Sequence, residues 1–212
     1  SYSIKFADFR KQVESCREKK IEIIPIVAKE YPEQLRGITR IGDGPPPVIF
    51  RKGVLKKFER CVAIAGTRNC SFYGRDMAMQ VAKELASKGY IIVSGLARGI
   101  DEWAHFGALK AKKGRTIAVL PWMEPIYPPE HLALSEDIEK RGAILSERYI
   151  QTFWKDARAK FVKRNRITSA ISLCVIAIES DQEGGTVHQI DFALRQGKKV
   201  FVLIPKDSKK AR

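Results

Sequence analysis

Residues 62–71, Val62-Ala63-Ile64-Ala65-Gly66-Thr67-Arg68-Asn69-Cys70-Ser71, decide the fold. Four small or β-branched apolar residues ending at a glycine read as a short buried strand of a parallel sheet. Ser71 is placed to cap a following helix. Met77, Val81 and Leu85 then recur at i, i+4 and i+8, one face of that helix, and Gly89 ends it. The same unit repeats downstream. Residues 90–93 form a strand ending at Ser94-Gly95, and a helix from about Ile100 carries Ala104, Ala108 and Ala111 until Gly114. Residues 116–120 form a third strand. The four prolines of 121–129 make a loop. Helix 132–140, strand 143–145, an irregular stretch 150–162, helix 163–172, strand 173–178, helix 186–196 stopped by Gly197, and strand 200–204 complete the series. Strands alternating with helices predict an α/β fold with a mostly parallel sheet covered on both faces.

Upstream of Cys61 the pattern is less regular. Residues 1–24 read as a polar helix followed by a short apolar turn. Gly42-Asp43-Gly44-Pro45-Pro46-Pro47 excludes helix, and Val48-Ile49-Phe50 suits a short strand. The chain therefore divides into a short N-terminal extension packed on the core (1–60), the α/β domain (61–206) and a basic tail (207–212). No apolar run nears the roughly 20 residues of a membrane span, and the charged N-terminal stretch has no signal-peptide centre. A cytoplasmic location is the expectation. Cys16, Cys61, Cys70 and Cys174, like the three histidines, lack metal-ligand or redox spacing. No metal and no cofactor is expected, and Cys61 and Cys174 read as buried thiols. With 39 Lys and Arg against 24 Asp and Glu, the net charge is +15. That excess favours a polyanion as partner: DNA, RNA or an acidic membrane face.

In an open parallel sheet, ligands bind beyond the carboxyl ends of the strands. Four loops there are built from small residues and arginine. Gly66-Thr67-Arg68, with Ser71 at the helix start, offers close backbone approach and a forked donor for phosphate. It is neither a dinucleotide GxGxxG nor a Walker loop. Ser94-Gly95-Leu96-Ala97-Arg98-Gly99 repeats the chemistry. Asp101 and His105 follow four apart, as an acid/base pair or, the favoured reading, as a helix-start carboxylate and a packed imidazole. Lys163-Arg164-Asn165-Arg166, with Lys155, Arg158 and Lys160 upstream, runs straight into an apolar face, which sets the arginines at the rim of the sheet. Glu183-Gly184-Gly185-Thr186 is a further nest for an anion. Each loop read alone is also an ordinary turn; four at one edge point to phosphate.

Read together, VAIAGTRNCSFYG (62–74), SGLARGIDEWAH (94–105), YPPEHLAL (127–134) and KRNRITSAIS (163–172) resemble the DNA processing protein A (DprA, or Smf) family. YPEQLRGI (31–38) and PPVIFRKG (46–53) resemble its run-in to the fold. The resemblance covers about 26–206. It takes in the Rossmann-like core, with neither the helical domain before it nor the winged helix after it. It implies an extended Rossmann-like fold that binds single-stranded DNA in DNA uptake or repair, without being an enzyme, a homodimer, and delivery to a RecA-type recombinase. By motif, Gly66, Thr67, Arg68, Ser94, Gly95, Ala97, Gly99, Arg164, Asn165 and Arg166 would line the site.

The chain departs from the family pattern at Pro121-Trp122-Met123-Glu124-Pro125, which replaces a glycine-rich turn and removes an N–H donor. Trp122 there either stacks a base or packs. Pro129 and Glu130 stand in the stretch where the family carries a DNA-binding lysine, and Gly184-Gly185-Thr186 replaces a Ser-Gly-Ser turn. The alternative function is a nucleotide-binding enzyme or sensor of phosphoribohydrolase type, with Glu179 or Glu183 as the acid.

Overall fold

The computed structural model of the chain describes residues 6–38, 44–151, 154–180 and 184–203. Gly42-Asp43, Glu183, Ile204 and the tail 207–212 lie outside them. The strands are β1 (Glu22–Pro25), β2 (Val48–Gly53), β3 (Cys61–Gly66), β4 (Ile91–Ser94), β5 (Arg115–Leu120), β6 (Ala143–Ser146), β7 (Cys174–Ile178) and β8 (Lys199–Val202). The helices are α1 (Phe6–Glu18), α2 (Glu33–Arg36), α3 (Phe72–Ser87), α4 (Ile100–Lys110), α5 (Leu132–Arg141), α6 (Ala157–Ala170) and α7 (Gly185–Arg195).

The strands form one eight-stranded sheet in the order β1-β2-β6-β5-β4-β3-β7-β8. From β6 to β8 every pairing is parallel; β1 and β2 join the β6 edge antiparallel. The Rossmann-like α/β architecture is the one the alternation predicts. The apolar turn expected near residue 24 is strand β1, paired through Glu22↔Arg51 to Pro25↔Val48. Alternation explains it: Ile24 is buried and Ile23 points out.

Successive residues of a strand face opposite layers. Cys61, Ala63, Ile91, Val93, Ile117 and Val119 pack under Ile167, Ala170 and Ile171 of α6 and Ala193 of α7. Ile64, Ile92 and Ile178 pack on the other side against α3 and α4. The buried stripe of α3 is Gly74, Ala78, Ala82 and Ala86, whereas Met77, Val81 and Leu85 are only partly buried. The expected face was off by one position, because alanines let α3 and α4 approach closely and leave the larger side chains at the margin. Helix α6 starts at Ala157, so the second half of the stretch expected to be irregular is helical. Cys61 is fully buried, which pushes its thiol up to about 12, while Cys174 is only half-buried.

Chain order along the sheet reverses beside β3. The path runs β3-β4-β5-β6 to one side, then returns to place β7 on the other. Helices α3 and α7, which follow β3 and β7, therefore pack on opposite faces of the sheet and leave a crevice between them, the usual ligand position in such folds.

Candidate nucleic-acid interface

The crevice is a cavity of about 510 Å³. Gly66, Thr67 and Arg68 after β3, Ser94, Gly95 and Ala97 after β4, Arg164 and Asn165 of α6, and Gly184, Gly185 and Thr186 at the start of α7 all line it. The loops that the sequence singled out thus converge on one opening. Arg158, Phe161 and Thr168 of α6 line it too; Arg158 belongs to the basic run singled out above, while Phe161 and Thr168 the sequence reading missed. Positions 158, 161, 165 and 168 follow one helical face; starting the helix at 157 instead of 163 would have revealed it. Arg68 and Arg158 are exposed at the mouth.

At one helix start beside the crevice the protein's own carboxylate is already seated. At α3, the Glu179 carboxylate accepts the Ser71 backbone N–H at 2.8 Å and the Ser71 hydroxyl. Ser71 Oγ in turn accepts the Gly74 N–H at 3.0 Å. At α4, the first N–H, that of Ile100, goes to Thr67 O at 3.2 Å, and Asp101 in the first turn accepts the Gly95 N–H of the preceding loop at 3.1 Å. Burial raises the Asp101 pKa, while Arg164 and hydrogen bonds from Ser94, Ala97 and Gly95 hold it down. The N-terminus of α7 differs. Its cap is Gly184, which supplies no side-chain hydrogen bond, and Gly185 beside it is exposed. First-turn N–H groups have no partner within a helix, so α7 directs its positive end at the cavity. Asn165 Nδ2 donates to Gly185 O at 3.4 Å and Gln189 Nε2 to Asn165 O at 3.3 Å, fixing that start to α6.

Arg164 is a buried cation in the cavity wall. Burial lowers its pKa to about 10 against the pull of Asp101, and Arg68 lowers it further; it is charged at neutral pH. Its guanidinium donates to Val119 O and fills the space beside Gly95, where a Cβ would stand 2.1 Å from Nη1. Gly99, at φ +78°, leaves no room for a Cβ either, which would stand 2.4 Å from Thr67 O. Gly99 joins the first loop to the second; it does not line the cavity.

Several expected contacts are corrected. Arg166 is 1% exposed and points into the protein, where Nη1 and Nη2 donate to Glu147 at 3.1 and 2.7 Å. Two residues apart in a helix means about 200° around its axis, so Arg164 and Arg166 cannot both face the cavity. Ser71 is committed to Glu179, Arg98 is paired with Glu130, and Lys163 stands outside the lining. Trp122 is 1% exposed and donates to Pro125 O at 2.9 Å; it packs, and has no open face for a base. Asp101 and His105 are not an acid/base pair. His105 is fully buried, which lowers its pKa to about 3 and keeps it neutral. Its Nδ1 meets Thr116 Oγ1 at 2.7 Å, and that hydroxyl gives its one proton to Ile92 O at 2.8 Å. The imidazole is therefore the donor to Thr116. Of the two candidate acids of the alternative enzyme, Glu183 lies outside the described residues, and Glu179 is spent on Ser71 and lies outside the cavity lining. Among the described residues no cluster of metal-ligating side chains occurs, and no helix is long and apolar enough to cross a membrane.

Parallel sheet, switch-point crevice and arginine-bearing loops define a Rossmann-like α/β protein with a cationic crevice at the carboxyl edge of its sheet. The family model of DNA recombination-mediator protein A matches residues 22–212, and the chain belongs to that family. It is 40% identical to the DNA processing protein DprA of Bacillus subtilis over 190 residues, 88% of this chain and 62% of that protein. It is 34% identical to protein Smf of Escherichia coli over 201 residues, 92% of this chain and 52% of that one. The chain thus spans about half to three-fifths of these relatives. The structure of DprA from Streptococcus pneumoniae superimposes with a TM-score of 0.84 at 30% identity, covering 99% of this chain and 70% of that one. DprA from Helicobacter pylori, a structure concerned with its single-stranded DNA binding mode, gives 0.76 at 28% identity over 89% and 83% of the two chains.

Proposed function

We propose that this chain binds single-stranded DNA by its phosphates in the switch-point crevice, as a binding module and not an enzyme, in DNA processing and recombination. The observation that carries the reading is the convergence of Gly66–Arg68, Gly95, Arg164 and the open start of α7 on one cavity. Arg68 and Arg158 at its mouth supply the mobile cations, and Arg164 supplies a fixed one. With Glu179 seated at α3 and Thr67 O on the first N–H of α4, the start of α7 is the helix end that meets a phosphate on this reading. The DNA-binding unit on this reading is 61–206, with β1 and β2 of the N-terminal extension (1–60) lengthening its sheet.

Backbone neutralisation makes binding steeply salt-dependent. With about six phosphate contacts, affinity falls on the order of 10³ between 50 and 200 mM salt, with little sequence preference. A labelled oligothymidylate titrated at both salt concentrations tests this. Absence of binding at 50 mM ends the reading. The partners that go with it are a second copy and a RecA-type recombinase. Phe201 and Val202 of β8 and Leu194 of α7, all more than half exposed at that end of the sheet, support a second copy, which sedimentation would detect.

A further inference from the structure

Beside the crevice, aromatic rings form one connected group. Phe161 lines the cavity, with the Arg68 guanidinium 5.2 Å from its ring centre. Trp122 stands 5.3 Å and Tyr127 5.7 Å from Phe161. Beyond them Trp154 meets Trp122 edge-on, at 5.5 Å and 83°, and Tyr127 at 5.5 Å and 61°. Such T-shaped contacts are favourable pair geometries and fix ring orientation. The buried Trp122, anchored through Pro125 O, and the half-buried Tyr127 therefore hold Trp154 from behind.

Trp154 itself is 57% exposed. A lone exposed apolar residue calls for no explanation. This one is a braced indole joined through Trp122 and Tyr127 to Phe161 in the wall of the crevice, and it is followed in sequence by Lys155, Arg158, Lys160 and Lys163. A flat apolar face set among cations fits a ligand that is anionic along its backbone and aromatic along its side, which is a single strand of nucleic acid. A protein partner would require a wider apolar patch than one indole.

We infer that Trp154 is the base-stacking platform of this chain, taking a nucleobase of the strand whose phosphates occupy the crevice. The inference rests on the proposed function and adds a base contact to it. Trp122, which the sequence offered for this role, is the strut that supports the platform.

The test compares oligothymidylate with an abasic phosphodeoxyribose oligomer of equal length, at low salt. Trp154→Ala and Trp154→Leu lower affinity for oligothymidylate about tenfold and leave affinity for the abasic oligomer unchanged. Trp154→Phe, which keeps a ring, retains most of the affinity. Arg68→Ala weakens binding of both oligomers. Tryptophan fluorescence of the wild type is quenched by oligothymidylate, and less so in Trp154→Phe. Wild-type affinity for oligothymidylate in Trp154→Leu, or an equal loss on both oligomers, overturns the platform while leaving the phosphate site standing. Failure of the wild type to bind either oligomer overturns both.

Discussion

The cavity wall around Arg164 and the interior nest around Arg166 are built by neighbouring residues of one helix, yet they treat a cation in opposite ways. Arg166 meets the Glu147 carboxylate through both terminal nitrogens and is shut off from water. Arg164 has a carboxylate, Asp101, that is itself drawn on by Ser94, Gly95 and Ala97, and it borders an open cavity where exposed Arg68 and Arg158 add charge. One region neutralises its charge to hold the fold. The other keeps a surplus of positive charge at an open cavity. The lesson is that a basic run in a sequence divides by helix face, and only one face is available for binding.

The sharpest way to break this comparison is Arg166→Ala. Removing one partner leaves Glu147 uncompensated, and stability falls by about 3–5 kcal/mol, measured by urea denaturation. A folded variant with native stability and weak DNA binding would put Arg166 in the interface instead. Next comes Gly99→Ala. At φ +78° and against Thr67 O, the substitution costs roughly 1–3 kcal/mol and splays the two loops, so DNA affinity falls as well. Arg68→Ala acts on the cavity side alone. Stability changes by no more than about 0.5 kcal/mol, while affinity for oligothymidylate falls several-fold and the salt slope drops by about 1.

The smallest effect at neutral pH belongs to His105. Its folded pKa of about 3 lies below the ordinary value of 6.5. The unfolded chain therefore binds the extra proton between these values, and stability rises with pH across that window. Full stability from this group is present above about 6.5 and is lost as pH falls towards 3. His105→Gln flattens that limb of the stability curve, read from denaturation midpoints at pH 4, 5, 6 and 7.

Much of the fold was legible because buried parallel strands are short apolar runs between glycines. Cys61–Gly66, Ile91–Ser94 and Arg115–Leu120 stand where the pattern puts them. Strand β1 was not legible, since Glu22–Pro25 is four residues long and one of them is proline. The loops at Gly66, Gly95, Arg164 and Gly184 could be named from composition and converge as expected. The direction of each donor could not. Whether the Gly95 N–H faces a ligand or Asp101 depends on a turn of chain that no spacing rule specifies. The same limit hid Glu179, whose carboxylate reaches Ser71 across 108 positions of sequence, and left open which tryptophan is covered, Trp122, or exposed, Trp154. Both tryptophans lie in irregular segments, where periodicity says nothing about which ring is covered.

The central claim is tested most directly by a crystal structure of the chain with a short oligothymidylate. The account predicts a phosphate in the crevice between Gly66 and Gly184, within hydrogen-bonding reach of the α7 N-terminus and the Arg68 guanidinium. A strand bound elsewhere on the surface, with that crevice holding only solvent, would contradict it.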